Sequence, residues 1–246
     1  MRRFIDLLVS IEALTRENLR LLRELGFSGV GASISVGRLL SNPAAALEAL
    51  KSVKAAGEAE GVDVVSRITV DESMSEGALK AVLRKFRRCV EVVSAYALDR
   101  KLTAFACRDA RVDVITLLPG SRLLRGDLAY VREYGKAVEI LVVPLQAEDP
   151  LSCAKALAYY SDVVKLLERK KLLKALILSS GASGPDAFRD PRSMASLLSL
   201  MGLKYDAALD ALSANVARLV TECRDKLAGV VPVRGVRIVG VGANGH

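Results

Sequence analysis

The chain has 246 residues, 36 Lys+Arg against 28 Asp+Glu for a net charge of +8, and 51% apolar residues, enough to bury the core of one large domain. No apolar run reaches the roughly 18–20 residues of a bilayer span, and the start Met1-Arg2-Arg3-Phe4 lacks the long apolar stretch of a secretory signal. The one histidine is His246, the last residue, which excludes Ser-His-Asp and Cys-His sites, His-ligated zinc and imidazole acid–base chemistry.

Taken in order, short β-branched runs alternate with longer amphipathic stretches. Strands are expected over Phe4–Ser10, Gly29–Ser35, Val62–Val70, Val90–Ala95, Val112–Leu117, Ala137–Pro144 and Leu176–Ser180. Most are continuously apolar, as strands buried on both faces must be. The first helix is capped by Thr15, carries Leu19, Leu22 and Leu25, and stops at Gly26. Asn42-Pro43 opens the next and Gly61 closes it. Ser73-x-x-Glu76 has the form of a capping box before Leu79, Val82, Leu83 and Phe86. Asp190-Pro191 opens a further helix that ends at Gly202. The repeated βα units and the length favour a TIM-like (β/α)8 barrel over an open sheet, as one domain over residues 1–246. The eighth strand should fall near Leu203–Tyr205, followed by a long helix over about Ala207–Leu227. Residues 230–246 form a C-terminal extension, with a strand or two over Val230–Val241. Cys89, Cys107, Cys153 and Cys223 form no CxxC pair and read as reduced, mostly buried thiols of a cytoplasmic protein.

The positive charge is concentrated. Lys80–Arg111 holds nine Lys/Arg against three Asp/Glu, and Lys165–Lys174 holds five against one. Lys80, Arg84, Arg87 and Arg88 share one face of a helix, as do Lys101, Arg108 and Arg111 of the next. Such stripes can be no more than solvated outer faces. They also suit phosphate contacts, and with few aromatics to stack bases, folded RNA fits better than single strands.

The glycines of Gly26-x-x-Gly29-x-Gly31 and of Gly235–Gly245 do not follow a dinucleotide or P-loop pattern and read as turns and tail. Asp6, Asp63, Asp71, Asp113 and Glu139 lie in or beside strands and could meet at one barrel end as an all-oxygen magnesium site; salt bridges explain them equally well. Ser179-Ser180-Gly181-Ala182 follows the seventh strand, at the end of a barrel where functional loops lie.

That turn belongs to a longer string, Leu178-Ser179-Ser180-Gly181-Ala182, then Pro185, Arg189, Pro191 and Arg192. The string resembles a segment of the 30-kilodalton ribonuclease P subunit family of archaea and eukaryotes, whose archaeal members are termed component 3. Phe4-Ile5-Asp6-Leu7 resembles the family's opening strand, and Arg67 ends the third strand, where the family often has an arginine. Ala104–Ile115, with Arg108 and Val112-Asp113, and the late helix with Ser213, Asn215 and Arg218 agree in the same order, so the resemblance spans about residues 3–228.

The resemblance implies a barrel related to metal-dependent phosphoesterases of the polymerase-and-histidinol-phosphatase type. Those relatives open with Asp-x-His-x-His, whereas this chain has Asp6-Leu7-Leu8-Val9-Ser10. It implies a subunit that supports a catalytic RNA in removing the 5′ leader of precursor tRNA, with magnesium held by the RNA and no cofactor, metal site or catalytic residue in the protein. The implied partners are ribonuclease P RNA, the small protein component 2 and, indirectly, precursor tRNA. Candidate RNA- or partner-binding residues are Arg67, Arg87, Arg88, Arg108, Arg111, Lys165, Lys171, Ser179, Ser180, Arg189 and Arg192. The alternatives are a stand-alone metal-dependent phosphoesterase using Asp6 and Asp113, and an inert interaction scaffold.

Overall fold

In the computed structural model, which describes residues 2–72 and 74–230, each β-branched run forms a strand. The strands are β1 (Phe4–Ser10), β2 (Phe27–Ser35), β3 (Asp63–Val70), β4 (Val92–Tyr96), β5 (Val114–Thr116), β6 (Ala137–Leu141) and β7 (Leu176–Ser179). They pair in chain order, every pair parallel, and the ends of the sheet approach each other. The result is a TIM-like barrel. Helices α1 (Arg16–Glu24), α2 (Val36–Ser41), α3 (Pro43–Glu60), α4 (Glu76–Phe86), α5 (Arg100–Arg108), α6 (Arg125–Tyr134), α7 (Pro150–Arg169) and α8 (Pro191–Leu200) lie outside it. The chain then runs through α9 (Tyr205–Asp210) and α10 (Ala214–Leu227).

Most helix ends follow the sequence signals. Thr15, Asn42 and Asp190 accept backbone N–H bonds at their helix starts, and Gly61 ends α3 with φ of 70°. Ser73 of the expected capping box lies outside the described residues; α4 starts at Glu76, where the Ser75 side chain accepts from the Ala78 amide and Glu76 pairs with Lys80. Strand β6 is shorter than expected, because Pro144 cannot donate and a 3₁₀ turn over Val143–Gln146 follows.

The eighth strand is the main departure. Among the described residues there is none: Leu203 donates to the Leu198 carbonyl, and Lys204 leads directly into α9. The gap between β7 and β1 is closed in two other ways. Low in the barrel, the turn between α9 and α10 lies in the seam, where Leu178 N donates to Ala211 O and Ile5 N to Leu212 O. Higher up, β1 bulges between Asp6 and Val9 and pairs with the chain after β7, through Gly181 N to Leu8 O and Ser10 N to Ala182 O. The expected single late helix is therefore two helices broken at this seam. Gly31 lies beside the bulge, where a Cβ would sit 1.9 Å from the Leu7 carbonyl oxygen. The strands expected over Val230–Val241 lie outside the described residues apart from Val230.

Side chains inside the barrel form layers. Ile5, Leu7, Val65, Val92, Val114, Ala137 and Ile177 make an apolar floor, closed at the N-terminal end of the strands by Val216, Leu219, Val220 and Cys223 of α10. Asn215 ties α10 to the start of β7 by donating to the Leu173 and Leu176 carbonyls. Above the floor the interior turns polar, with Ser33, Arg67, Ser94, Thr116, Glu139 and Ser179 all buried. A second, larger apolar core fills the space between sheet and outer helices.

Candidate nucleic-acid interface

The polar layer is built around Arg67. Strand β3 points Val65, Arg67 and Thr69 inward by its two-residue period, so the guanidinium lies in the middle of the barrel, fully buried. It forks onto Glu139 at 2.8 and 2.6 Å and donates to Ser94, Thr69, Thr116 and the Leu7 carbonyl. Burial alone would push Glu139 up, but Arg67 and the Ser179 and Thr116 hydroxyls outweigh it and hold the carboxyl below its usual range. Arg67 is thus an internal strut with no surface to offer. Ser179 and Ser180 also lie inside, fully buried, with the Ser179 hydroxyl on Glu139 and the Ser180 amide on Asp6.

The strand acids do not meet. Asp6 lies at the seam, accepting from the Ser180 and Leu8 amides, and burial raises it to about 6. Glu139 lies mid-barrel, and Asp71 lines a mouth cavity of about 270 Å³ at the C-terminal end with Glu12, Tyr96 and serine hydroxyls. Asp63 and Asp113 lie at the opposite end, where they anchor α10: Arg224 forks onto Asp63 and reaches Glu91, and Lys226 and Arg87 meet Asp113. Burial works against Glu91, but Lys54, Ser66 and Arg224 hold it at about 2. A divalent ion of the phosphoesterase type does not fit. Among the described residues no three Asp, Glu, Cys or His side chains are grouped so as to hold a metal ion, and the Arg67 guanidinium occupies Glu139, the carboxylate at the centre of the barrel.

The remaining cations have a common location. In each βα unit the helix runs back to the end of the barrel where the next strand starts. The last turns of α4, α5, α6 and α7 are all basic, with Arg84 and Lys85, Arg108, Arg132, and Arg169 respectively. Cations there also complement the helix dipoles. Arg88, Arg108, Lys165, Lys170, Lys171 and Lys174 bring the two basic segments to one rim, the N-terminal face beside β4 to β7. Arg88, Arg108, Lys165, Lys171 and Lys174 are exposed there.

Not every candidate is available on that rim. Arg87 is mostly buried and engaged by Asp113 and by the Val90 and Glu91 carbonyls. Arg111 is forked on Asp109. Lys136 is buried on the Asp109 and Val112 carbonyls, and burial pulls its pKa down to about 8. Arg189 is exposed but donates to its own loop at Asp186 and Phe188. Arg192 is exposed beside a groove formed with Arg2, Phe4, Gly26 and Tyr205. Lys174 and Arg218 belong to the rim and are not among the binding residues expected from sequence; Arg218 reaches the Lys174 carbonyl from α10, a neighbour only the fold provides.

The model of the RNase P subunit p30 family matches residues 3–227. The chain is 25% identical over 211 residues to ribonuclease P protein component 3 of Methanococcoides burtonii, covering 85% of this chain and 81% of that protein. Among solved structures it superimposes with a TM-score of 0.75 on a chain of an archaeal ribonuclease P determined with mature tRNA by cryo-electron microscopy, at 19% identity over 96% of this chain and 98% of that one. It also resembles the barrel of N-acetyl-D-glucosamine-6-phosphate deacetylase from Mycobacterium smegmatis, with a TM-score of 0.55 at 12% identity over 89% and 77% of the chains, a likeness of fold alone. With the family model spanning nearly the whole barrel and α10, the chain belongs to the RNase P subunit p30 family.

Proposed function

We propose that this chain, a protein component of ribonuclease P, holds the ribonucleoprotein together and does not itself cut. Hydrolysis at the 5′ leader of precursor tRNA falls to the ribonuclease P RNA with its own magnesium ions. The basic rim on the N-terminal face carries this reading: its cations offset phosphate repulsion and so lower the magnesium needed to hold the RNA core. The filled interior supports the second half, because Arg67 and Glu139 leave each other no free donor or carboxylate for chemistry. The protein partner on this reading is component 2, and the four cysteines, all free, suit a cytoplasmic setting. Two of them, Cys89 and Cys153, are less buried than the sequence suggested.

The test is cleavage by the chain alone. Recombinant protein stripped of RNA is expected to leave precursor tRNA intact across a magnesium titration, and to stimulate the RNA when component 2 is added. Leader removal at the mature 5′ end by the RNA-free protein would overturn the reading.

A further inference from the structure

The end of the barrel opposite the basic rim carries a different surface. Eight large apolar side chains are exposed among the described residues, and four of them lie on the segments after β4, β5 and β6: Leu98, Leu124 and Val143 in the connections and Leu151 in the first turn of α7. Leu124 and Leu151 are 50% and 60% exposed. Leu124 is also the N-cap of α6, the position where Ser, Thr, Asp or Asn normally accepts a helix N–H; its own side chain accepts none, and Asp127 reaches back to accept the Leu124 amide. An apolar group thus stands in water at a site where a polar one would stabilise the fold. In the turn that carries Val143, the Nε2 of Gln146 is buried without a hydrogen-bond partner.

The charges around these turns indicate what covers them. Lys101, Arg122, Arg125 and Lys155 are exposed on the same connections and the first two turns of the helices that follow. Of the nearby carboxylates, Asp99 and Asp149 cap α5 and α7 and Asp127 is forked by Arg100, so the four cations outnumber the exposed Glu148 of the same turns. An apolar centre with a cationic rim is complementary to an apolar surface rimmed with carboxylates. A second copy of this chain would bring a like rim against it. RNA would find leucines in place of donors, and Tyr159 and Tyr160 point their hydroxyls inward onto the Ser121 and Leu117 carbonyls, so they offer no stacking face there.

We propose that this C-terminal face over β4 to β6 is the docking surface for an acidic-rimmed protein subunit, leaving the N-terminal face to RNA. The inference rests on the reading above that the chain has a protein partner, and component 2 is the probe. Binding of full-length chain to component 2 is measured by titration calorimetry, with light scattering for stoichiometry. The double variant Leu124→Asp/Leu151→Asp is expected to bind about tenfold or more weakly, with unchanged circular dichroism and unchanged affinity for ribonuclease P RNA. Leu124→Met/Leu151→Met should bind as the wild type does, and Arg122→Glu/Arg125→Glu should slow association and reduce its salt dependence. Wild-type affinity in the Asp variant overturns the surface. So does self-association of the chain that the Asp variant abolishes, since the occupant is then a second copy. A wild-type chain that does not bind component 2 at all overturns the partner reading, and this surface with it.

Discussion

A charged residue in the middle of a strand that is otherwise apolar has no path to solvent, and besides Asp6 of β1 this chain has two of opposite sign. Arg67 sits within Val-Val-Ser-Arg-Ile-Thr-Val and Glu139 within Ala-Val-Glu-Ile-Leu. That much is legible from sequence, and it argues against Arg67 as a surface contact. What the sequence does not carry is that the two pair, because 72 positions separate them and only closure of the barrel brings them together. All five N–H groups of the guanidinium are engaged, so the pair is well satisfied, yet removing one partner leaves the other charge stranded. Arg67→Met should therefore cost about 3–5 kcal/mol in urea unfolding, whereas Arg67→Met/Glu139→Leu should recover most of that loss. Equal destabilisation by the single and double variants would show that lost packing, and not the stranded carboxylate, sets the cost.

Elements, as distinct from single residues, were largely legible. Apolar runs located all seven strands within a few residues, and Thr15, Asn42 and Asp190 marked helix starts correctly. The seam was not legible, since a short turn between two helices does the work of the eighth strand and no hydrophobic period marks a turn. Asp6 secures that seam by accepting the Ser180 amide across it. Its folded pKa is about 6 against 3.8 for the unfolded side chain, the cause being burial, partly offset by the Ser180 bonds. Between those values the folded state holds a proton that the unfolded chain lacks, so this group's contribution to stability falls as pH rises from about 4 to about 6 and is flat above. The full change is about 3 kcal/mol. Glu139 and Glu91, held below their usual range, act in the opposite direction, so the measurement is a difference. Asp6→Asn keeps an oxygen to accept from Ser180 and removes the titration. Its stability relative to wild type should rise through pH 4–6 and level off above, in denaturant titrations at each pH. A constant difference would remove Asp6 as the source of the seam's pH response.

At the scale of the whole molecule, the net charge of +8 says less than where it lies. The two basic segments are separate in sequence, and their helical stripes read as two outer faces. The parallel topology returns each helix to the same end of the barrel, so the basic last turns of α4 to α7 gather on one rim while the exposed Leu98, Leu124 and Leu151 gather at the other. If the rim holds RNA, charge removed there must matter more than the same charge removed elsewhere. Arg88→Ala/Lys165→Ala/Lys171→Ala/Lys174→Ala takes four exposed cations from the rim, and Lys101→Ala/Arg122→Ala/Arg125→Ala/Lys155→Ala takes four from the opposite end. Each substitution is on the surface and should change stability by less than about 0.5 kcal/mol. For binding to ribonuclease P RNA, log K against log salt should flatten by about one unit per lost phosphate contact in the rim variant and hardly at all in the other. The rim variant should also need more magnesium for cleavage by the reconstituted enzyme. Equal flattening by both variants would mean that the RNA senses net charge alone, and the basic last turns would then be solvated helix ends that complement their dipoles and do nothing more.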